Sequence, residues 1–537
     1  MKRLQKIWNN FTAQPDVWFF YGFLLTFSLS IRKVLFFYSI SGQFNEYSGI
    51  YLYLSDILLI LAIVSWIISL LYNKYTLLSI FKATCVPRGT IILSALLVLW
   101  SFLSIYWSSN INLALFRSLK LLELYLLFLY LIIKIVPRGT ILRSSVKIII
   151  GIGFIQAIIS IWQFVIQHSI GLFWLKESLI STNLPGVAKI ILNNGKLIRA
   201  YGLFPHPNIL GGFIFVSIIL TLFYRNLFHV EQKHTFTRFV AITILISGLI
   251  LTFSKSAIIA LIISFIYIYA NTHVPRGTYL SRFRARISKF VRTLFHAPRK
   301  MFHVEHILRS GQSIKLKLEN VRIHSQARKI ALIIVILFML VILIKPNMNS
   351  LIFRSLDERL LYLNVSRGTI LAHPILGLGS GQFVVNMQNY ANQTLLDWQF
   401  QPVHNVFLLI WNELGLIGLG LFILLLWKLF HVEQNTENLD IKCSTWNNGR
   451  CEVYEPIRNN DNQFVEHELF HVEQSLHNRS QTSYLQPIII FQGILAGLLF
   501  IMPFDHYLWD IQQGQVMLWL IMGIIAGMES KANIDKL

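Results

Sequence analysis

The sequence predicts an all-α, polytopic integral membrane protein of about 12 transmembrane helices, with a long outer (periplasmic) loop between spans 9 and 10. Three observations predict it. Only 13% of the 537 residues are charged and the mean hydropathy is +0.57, too apolar for a soluble chain of this length. Apolar runs of about 17–25 residues, enough to cross a hydrocarbon core at about 1.5 Å per residue, recur from end to end. With the N-terminus inside, most Lys and Arg fall in or beside cytoplasmic segments, the asymmetry of the positive-inside rule.

Taken in order, the first run (17–39) follows the basic stretch Met1–Asn10 and lacks a small-residue cleavage site, so it reads as a retained anchor despite Arg32 and Lys33. The runs at 50–73, 90–107, 119–136 and 145–167 complete an N-terminal group of helices over 1–200; Asp56 and Glu123 sit inside two of them without an obvious partner. An outer segment, 168–208, leads to the sixth run at 209–224. The seventh and eighth (237–253, 256–271) are divided only by a turn from Thr252 to Lys255. A basic cytoplasmic linker (272–328), best read as a solvated loop, precedes the ninth run at 329–345 and the outer loop at 347–403. The tenth run (404–428) closes a core over 201–428; a cytoplasmic insert (429–484) and two last runs (485–503, 511–528) within 485–537 follow.

A net charge of +22 raises the question of nucleic acid, but its distribution follows the membrane topology, so none is expected as a partner of the protein. Cys85, Cys443 and Cys451 all fall in segments placed inside, and no disulfide framework is expected. The location implied is the cytoplasmic (inner) membrane, multi-pass.

Short repeats punctuate the chain: VPRGT at 86–90, 136–140 and 274–278, and FHVE at 228–231, 302–305, 430–433 and 470–473. Both, with CSTWN at 443–447, are frames of one DNA palindrome, TGTTCCACGTGGAACA, and one base change gives VSRGT at 365–369. The palindrome resembles the sites bound by bacterial chromosome-partition proteins. The repeat is therefore a property of the gene, and His229, His303, His431 and His471 are poor candidates for metal or catalytic work. All copies but VSRGT fall in segments placed inside, as expected if inserts are tolerated in loops and not in spans.

The outer segments hold the chemistry. His404 and Asn405 stand where water gives way to hydrocarbon, a setting in which an imidazole is neutral and able to act as a general base. Arg359 offers a permanently charged fork suited to a diphosphate. Capping of a helix by His404 and Asn405, with arginines on lipid phosphates, is the plainer reading of the same residues. Glu413 lies inside the tenth run, where an ionisable group is expensive; Lys255 or a polar group of the same cavity is the partner expected for it.

RLLY…AHPILGLGSGQF (359–383) followed by HNVFLLIWNELGLIGL (404–419) resembles the O-antigen ligase and O-antigen polymerase superfamily of membrane glycosyltransferases. GLFPHPN (202–208), LTFSKS (251–256) and FDHYLW (504–509) extend the resemblance over about 200–528. It implies glycan transfer from an undecaprenyl-diphosphate-linked oligosaccharide or polysaccharide to a glycan, lipid or protein acceptor, without metal or cofactor. It also implies that His404 activates the acceptor hydroxyl and that Arg359 binds the donor diphosphate and stabilises the leaving group. The family usually has a second arginine in the turn between the seventh and eighth spans, where this chain has Lys255, a point charge without a bidentate fork. Asn405, Glu413, Asp505 and His506 are supporting candidates, with helix capping an equal reading for Asp505. Arg367 belongs to the VSRGT copy and is set aside; Pro205, Pro207 and Asn208 read as shaping a helix entry, while the roles of Gly377, Gly379 and Gly381 stay open. A polytopic transporter or lipid-linked glycan flippase is the alternative, and it predicts broken helices in symmetric halves.

Overall fold

The computed structural model describes residues 12–72, 88–136, 139–192, 195–228, 235–273, 348–430, 445–447, 450–452 and 474–534. Over these the chain is mainly helical, with three two-stranded hairpins. Six helices are long and apolar enough to span a bilayer, at 54–72, 89–107, 139–166, 207–224, 255–272 and 406–430; 237–251 and 487–501 are apolar but shorter. This is an all-α membrane protein, but about twelve full crossings are not what the described residues contain. The ninth predicted span, 329–345, lies outside them.

The first predicted span is corrected outright. Helix α1 (Pro15–Thr26) ends after 12 residues, and the chain continues into strand β1 (Arg32–Phe37), paired antiparallel with β2 (Gly49–Tyr53). Hydropathy alone does not separate a short apolar strand from the continuation of a helix, and Val34, Phe36 and Phe37 have high strand propensity. Ser41 and Gly42, both with positive φ, make the two-residue turn at the tip.

Helix α2 (Leu54–Tyr72) packs on α1 and on α4 (Ile111–Tyr130); α3 (Arg88–Leu103) packs on α4. The buried charges of this group are matched. Lys120 on α4 reaches Asp56 at 2.6 Å and Glu123 at 3.0 Å, and Lys134 reaches Asp16 at 3.0 Å. Asp56 and Glu123 thus share one cation, which offsets part of the cost of burying three charges.

Helix α5 (Gly139–Ile166) and strands β3 (Lys189–Leu192) and β4 (Gly195–Ile198) lead to α6 (Pro207–Phe228). Pro207 occupies the first turn of α6, where its missing N–H costs nothing. The apolar window of α6 is 89% buried, against 28% for that of α8, so α6 runs through the middle of the bundle and α8 lies nearer its edge. Around it pack α5, α7 (Thr235–Leu251), α8 (Lys255–His273) and, further along the chain, α12 (Gln474–Ile501) and α14 (Gln512–Ile534). Small residues set these contacts: a Cβ on Gly153 would stand 2.3 Å from Ser217 Oγ, and one on Gly497 2.4 Å from Ser264 Oγ.

The segment predicted as an outer loop is largely helical, with α9 (Met348–Ala372) and α10 (Phe383–Tyr390). The VSRGT copy lies inside α9 and is packed: Val365, Ser366 and Thr369 are buried, and Ser366 Oγ accepts from Asn412 Nδ2 at 2.7 Å. Its insertion-like origin has not kept it out of the core. Helix α11 (Val406–Phe430) is broken at Gly415, which takes φ 67° and ψ −172°. A hairpin of β5 (Thr445–Asn447) and β6 (Arg450–Glu452) and the short helix α13 (Tyr507–Asp510) complete the described elements.

Candidate active site

One end of the bundle collects the ends of its helices and the segments between them. Asn45 Nδ2 donates to the Phe400 carbonyl at 2.9 Å, Ser109 Oγ to Gln382 at 2.9 Å, and the Val406 N–H to the Met502 carbonyl at 2.8 Å. Arg199 Nε donates to the Thr252 carbonyl at 2.7 Å, and Asn208 Nδ2 to Asp505 at 2.7 Å. Stretches distant in sequence thus meet on one face.

His404 stands on this face just before α11. Its Nδ1 lies 3.1 Å from the Pro402 carbonyl, and since a carbonyl only accepts, Nδ1 carries the proton and Nε2 keeps a free lone pair. Tyr362 of α9 stacks on the ring at 5.6 Å and 16°, and His506 meets it edge-on at 5.0 Å. Burial, then the charge of His506, lowers the His404 pKa from its ordinary value, so the imidazole is neutral at neutral pH. Asn405 is the helix cap: its Oδ1 accepts from the Leu408 N–H at 3.1 Å.

His506 has the opposite setting. Its Nδ1 donates to both carboxylate oxygens of Asp510, at 2.8 and 2.9 Å, one helical turn on. Burial works to lower its pKa, but the Asp510 charge and hydrogen bond outweigh burial and raise it. Asp505 does not cap α13 through its side chain. It accepts from the His506 N–H at 2.8 Å and from Asn208, and although burial pushes its pKa up, the imidazoles of His506, His404 and His206 bring it below the usual carboxylate range.

Arg199 and His206, like Tyr362, Asp510 and Arg117, were not singled out in the sequence. Arg199 donates from Nη2 to Asn208 Oδ1 at 2.5 Å as well as from Nε to Thr252. It therefore sits at the turn between α7 and α8, where the family resemblance calls for an arginine and the chain itself supplies the exposed Lys255. Burial lowers its pKa to about 10, still well above neutral. His206 accepts on Nδ1 from the Asn208 N–H at 3.2 Å, and burial followed by Arg199 lowers its pKa to about 3, so it is a neutral, structural imidazole. The sequence signal for Arg199 was a cation set between the apolar Ile198 and Ala200.

Arg359 is exposed on α9, one turn before Tyr362, and its charge reaches His404, whose pKa it also lowers. Glu413 is buried, accepts from Trp509 Nε1 at 3.3 Å, and lines a cleft with Arg117, Tyr47, Asp510 and Gln515. Of the two partners expected for Glu413, Lys255 or a polar group of the same cavity, the structure shows the second: Trp509 Nε1 donates to it, and Arg117 is the cation of its cleft.

Of the glycines left open by the sequence, Gly377 and Gly379 are explained by the break in α11, whereas a Cβ on Gly381 would meet Arg117. Interrupting the helix at Gly415 frees carbonyls, and the loop 373–382 caps them: Leu378 N–H donates to Asn412 at 2.8 Å and Gly379 N–H to Glu413 at 2.8 Å. Trp100 Nε1 takes the Leu414 carbonyl at 2.8 Å. The approach is so close that a Cβ on Gly377 (φ +71°) would lie 2.5 Å from the Glu413 oxygen.

Residues 321–423, less than half of the chain, match a family model described as O-Antigen ligase, and over that segment the chain is similar to this family. No curated protein matches the chain. The matched segment contains Arg359, His404, Asn405 and Glu413, whereas Arg199, Lys255, Asp505 and His506 lie outside it.

Proposed function

We propose that this chain, carrying an O-antigen ligase domain at residues 321–423, transfers a glycan from an undecaprenyl-diphosphate-linked donor to an acceptor hydroxyl at the outer face of the cytoplasmic membrane. The observation that carries the proposal is a neutral His404, with its Nδ1 proton committed to Pro402 and its Nε2 lone pair free, set among cationic side chains. In this reading His404 Nε2 takes the acceptor proton as the acceptor oxygen attacks the anomeric carbon. The bond from that carbon to the diphosphate breaks, and Arg359, with Arg199 and Lys255 at the neighbouring turn, receives the charge of the departing lipid diphosphate. Asn208 and Asp505 link Arg199 to His506, whose ring borders the base, which is a supporting and not a reacting role.

Ligase and polymerase chemistry share these steps and differ in the acceptor. A transporter or flippase is favoured by one observation, the break in α11. Its freed carbonyls are consumed by the glycine-loop N–H groups and Trp100, however, which suits a fixed scaffold better than an ion path. The test is reconstituted glycan transfer from a lipid-diphosphate donor with His404→Ala and Arg359→Ala made separately. Loss of transfer in both supports the proposal; transfer retained in both overturns it.

A further inference from the structure

The hairpin β1–β2 has two unlike sides. Strand β2 alternates between buried and half-buried positions, as a strand packed on one face does, but β1 is exposed from Lys33 to Phe37 on both faces. Val34, Leu35, Phe36 and Phe37, with Phe44 near the tip, are 42–55% exposed, a concentration of apolar surface too large for a face meant for water. Phe37 and Phe44 pack together at 5.1 Å, which makes the patch continuous across the hairpin.

The hairpin is held at a fixed height in the molecule. Strand β2 runs directly into α2, whose own exposed Ile57, Ile60, Leu61 and Val64 continue the apolar surface along a helix long enough to span a bilayer. On the other side α1, at 12 residues, rises only about 18 Å of a hydrocarbon core about 30 Å thick. The chain from Phe27 to Phe37 therefore follows a helix that by itself is too short to cross that core. Among the described residues the outer edge of β1 has no strand paired to it, and open sheet edges are not tolerated in hydrocarbon because their N–H and C=O groups find no partner. Apolar side chains exclude bulk water, the open edge excludes the hydrocarbon centre, and the boundary between them satisfies both. The exposed Lys33 on the same strand suits phosphate headgroups.

We propose that the β1–β2 hairpin is a membrane-interface element, with β1 lying among the headgroups and upper acyl chains of the leaflet on the side of the candidate site. Its opposite side is tied to that site. Tyr47 presents its ring edge-on to His506 at 5.6 Å and its carbonyl to Arg117 Nη2 at 3.0 Å, and Asn112 Nδ2 donates to Tyr38 at 2.9 Å. Bilayer surface and site are therefore joined through one hairpin.

The test uses the full chain in lipid nanodiscs, with Cys85, Cys443 and Cys451 replaced by serine and single cysteines at Phe37, Val34 and the exposed Asn392 carrying an environment-sensitive fluorophore. The expected result is several-fold stronger quenching at Phe37→Cys and Val34→Cys by phospholipids bearing a nitroxide near the headgroup end of the chain than by aqueous iodide, with the reverse order at Asn392→Cys. Two positions guard against one label disturbing the hairpin. Iodide quenching at both hairpin positions equal to that at Asn392→Cys would place β1 in water and overturn the proposal. Strongest quenching by a chain-terminal nitroxide, or protection from all quenchers with disulfide cross-linking between copies, would overturn it in favour of the bilayer centre or a second copy. None of these readouts depends on glycan transfer.

Discussion

His506 lies edge-on to His404 with ring centroids 5.0 Å apart, and the two imidazoles are driven in opposite directions. Asp510 raises the pKa of the first, and the positive charge this favours lowers that of the second. A base that must be unprotonated to act loses activity as pH falls through its own pKa. The acid limb of the pH–rate profile is therefore expected below the ordinary histidine range. His506→Gln removes a repulsive charge, raises the His404 pKa and shifts that limb to higher pH; Asp510→Asn acts in the same direction. A limb that stays fixed in both variants refutes the coupling. His404→Ala is expected to lose about 10²–10⁴-fold in rate at every pH.

Arg199 and Lys255 approach the α7–α8 turn from different segments but are not equivalent. Arg199 is largely fixed by Thr252 and Asn208, whereas Lys255 is exposed. If the turn binds diphosphate, Arg199→Lys loses the planar fork and weakens charge-assisted hydrogen bonds worth about 1.5–3 kcal/mol each, raising the donor KM by about tenfold or more. Lys255→Arg is expected to preserve or increase activity. Donor titrations of the two variants separate the roles, and an unchanged donor KM in Arg199→Lys removes Arg199 from the site.

Much of this site could be read from residue types and their local order. His404, Arg359, Asp505 and His506 carried their chemistry in the sequence, and the matched segment contains the first two. Arg199 was missed because its partners, Asn208 and Thr252, give it meaning only when the hairpin β3–β4 folds back over the α7–α8 turn. Lys120 stood three residues from Glu123 on one helical face, a readable pair, yet its longer reach to Asp56 depends on how α2 packs on α4. The first span failed for a different reason. An apolar run records burial in lipid or protein but not backbone conformation, so the change from α1 to β1 was invisible to hydropathy.

The backbone crossing between the loop 373–382 and α11 leaves no room for side chains. Gly415 has φ +67°, and an added Cβ would lie 2.0 Å from the Ile375 carbonyl oxygen. Gly415→Ala is expected to destabilise the protein by at least about 1–3 kcal/mol from backbone strain alone, before any clash. Gly420, whose added Cβ would meet nothing within 4 Å, is the control. Thermal unfolding in detergent should show a clear drop for Gly415→Ala and little change for Gly420→Ala.

Lys120 serves two acids, so removing it is worse than removing either partner. Lys120→Met leaves Asp56 and Glu123 buried without their cation, and breaking a buried ion pair from one side costs about 3–5 kcal/mol. Glu123→Gln leaves the 2.6 Å pair with Asp56 in place and is expected to cost less. Urea or heat denaturation of the two variants orders them, and equal losses would mean that the Glu123 contact contributes as much as the whole cluster.

His206 links stability to pH in a direction that can be worked out. Its folded pKa, about 3, lies below the ordinary histidine value of about 6.5, so between these values the unfolded chain binds more protons than the folded one. Stability contributed by the neutral ring is then present above about pH 6.5 and falls as pH drops through that window towards about 3. His206→Gln keeps a polar group beside the Asn208 N–H but does not titrate. Its melting temperature should fall less between pH 7 and pH 5 than that of the wild type, and parallel curves for the two proteins would show that the acid loss arises elsewhere.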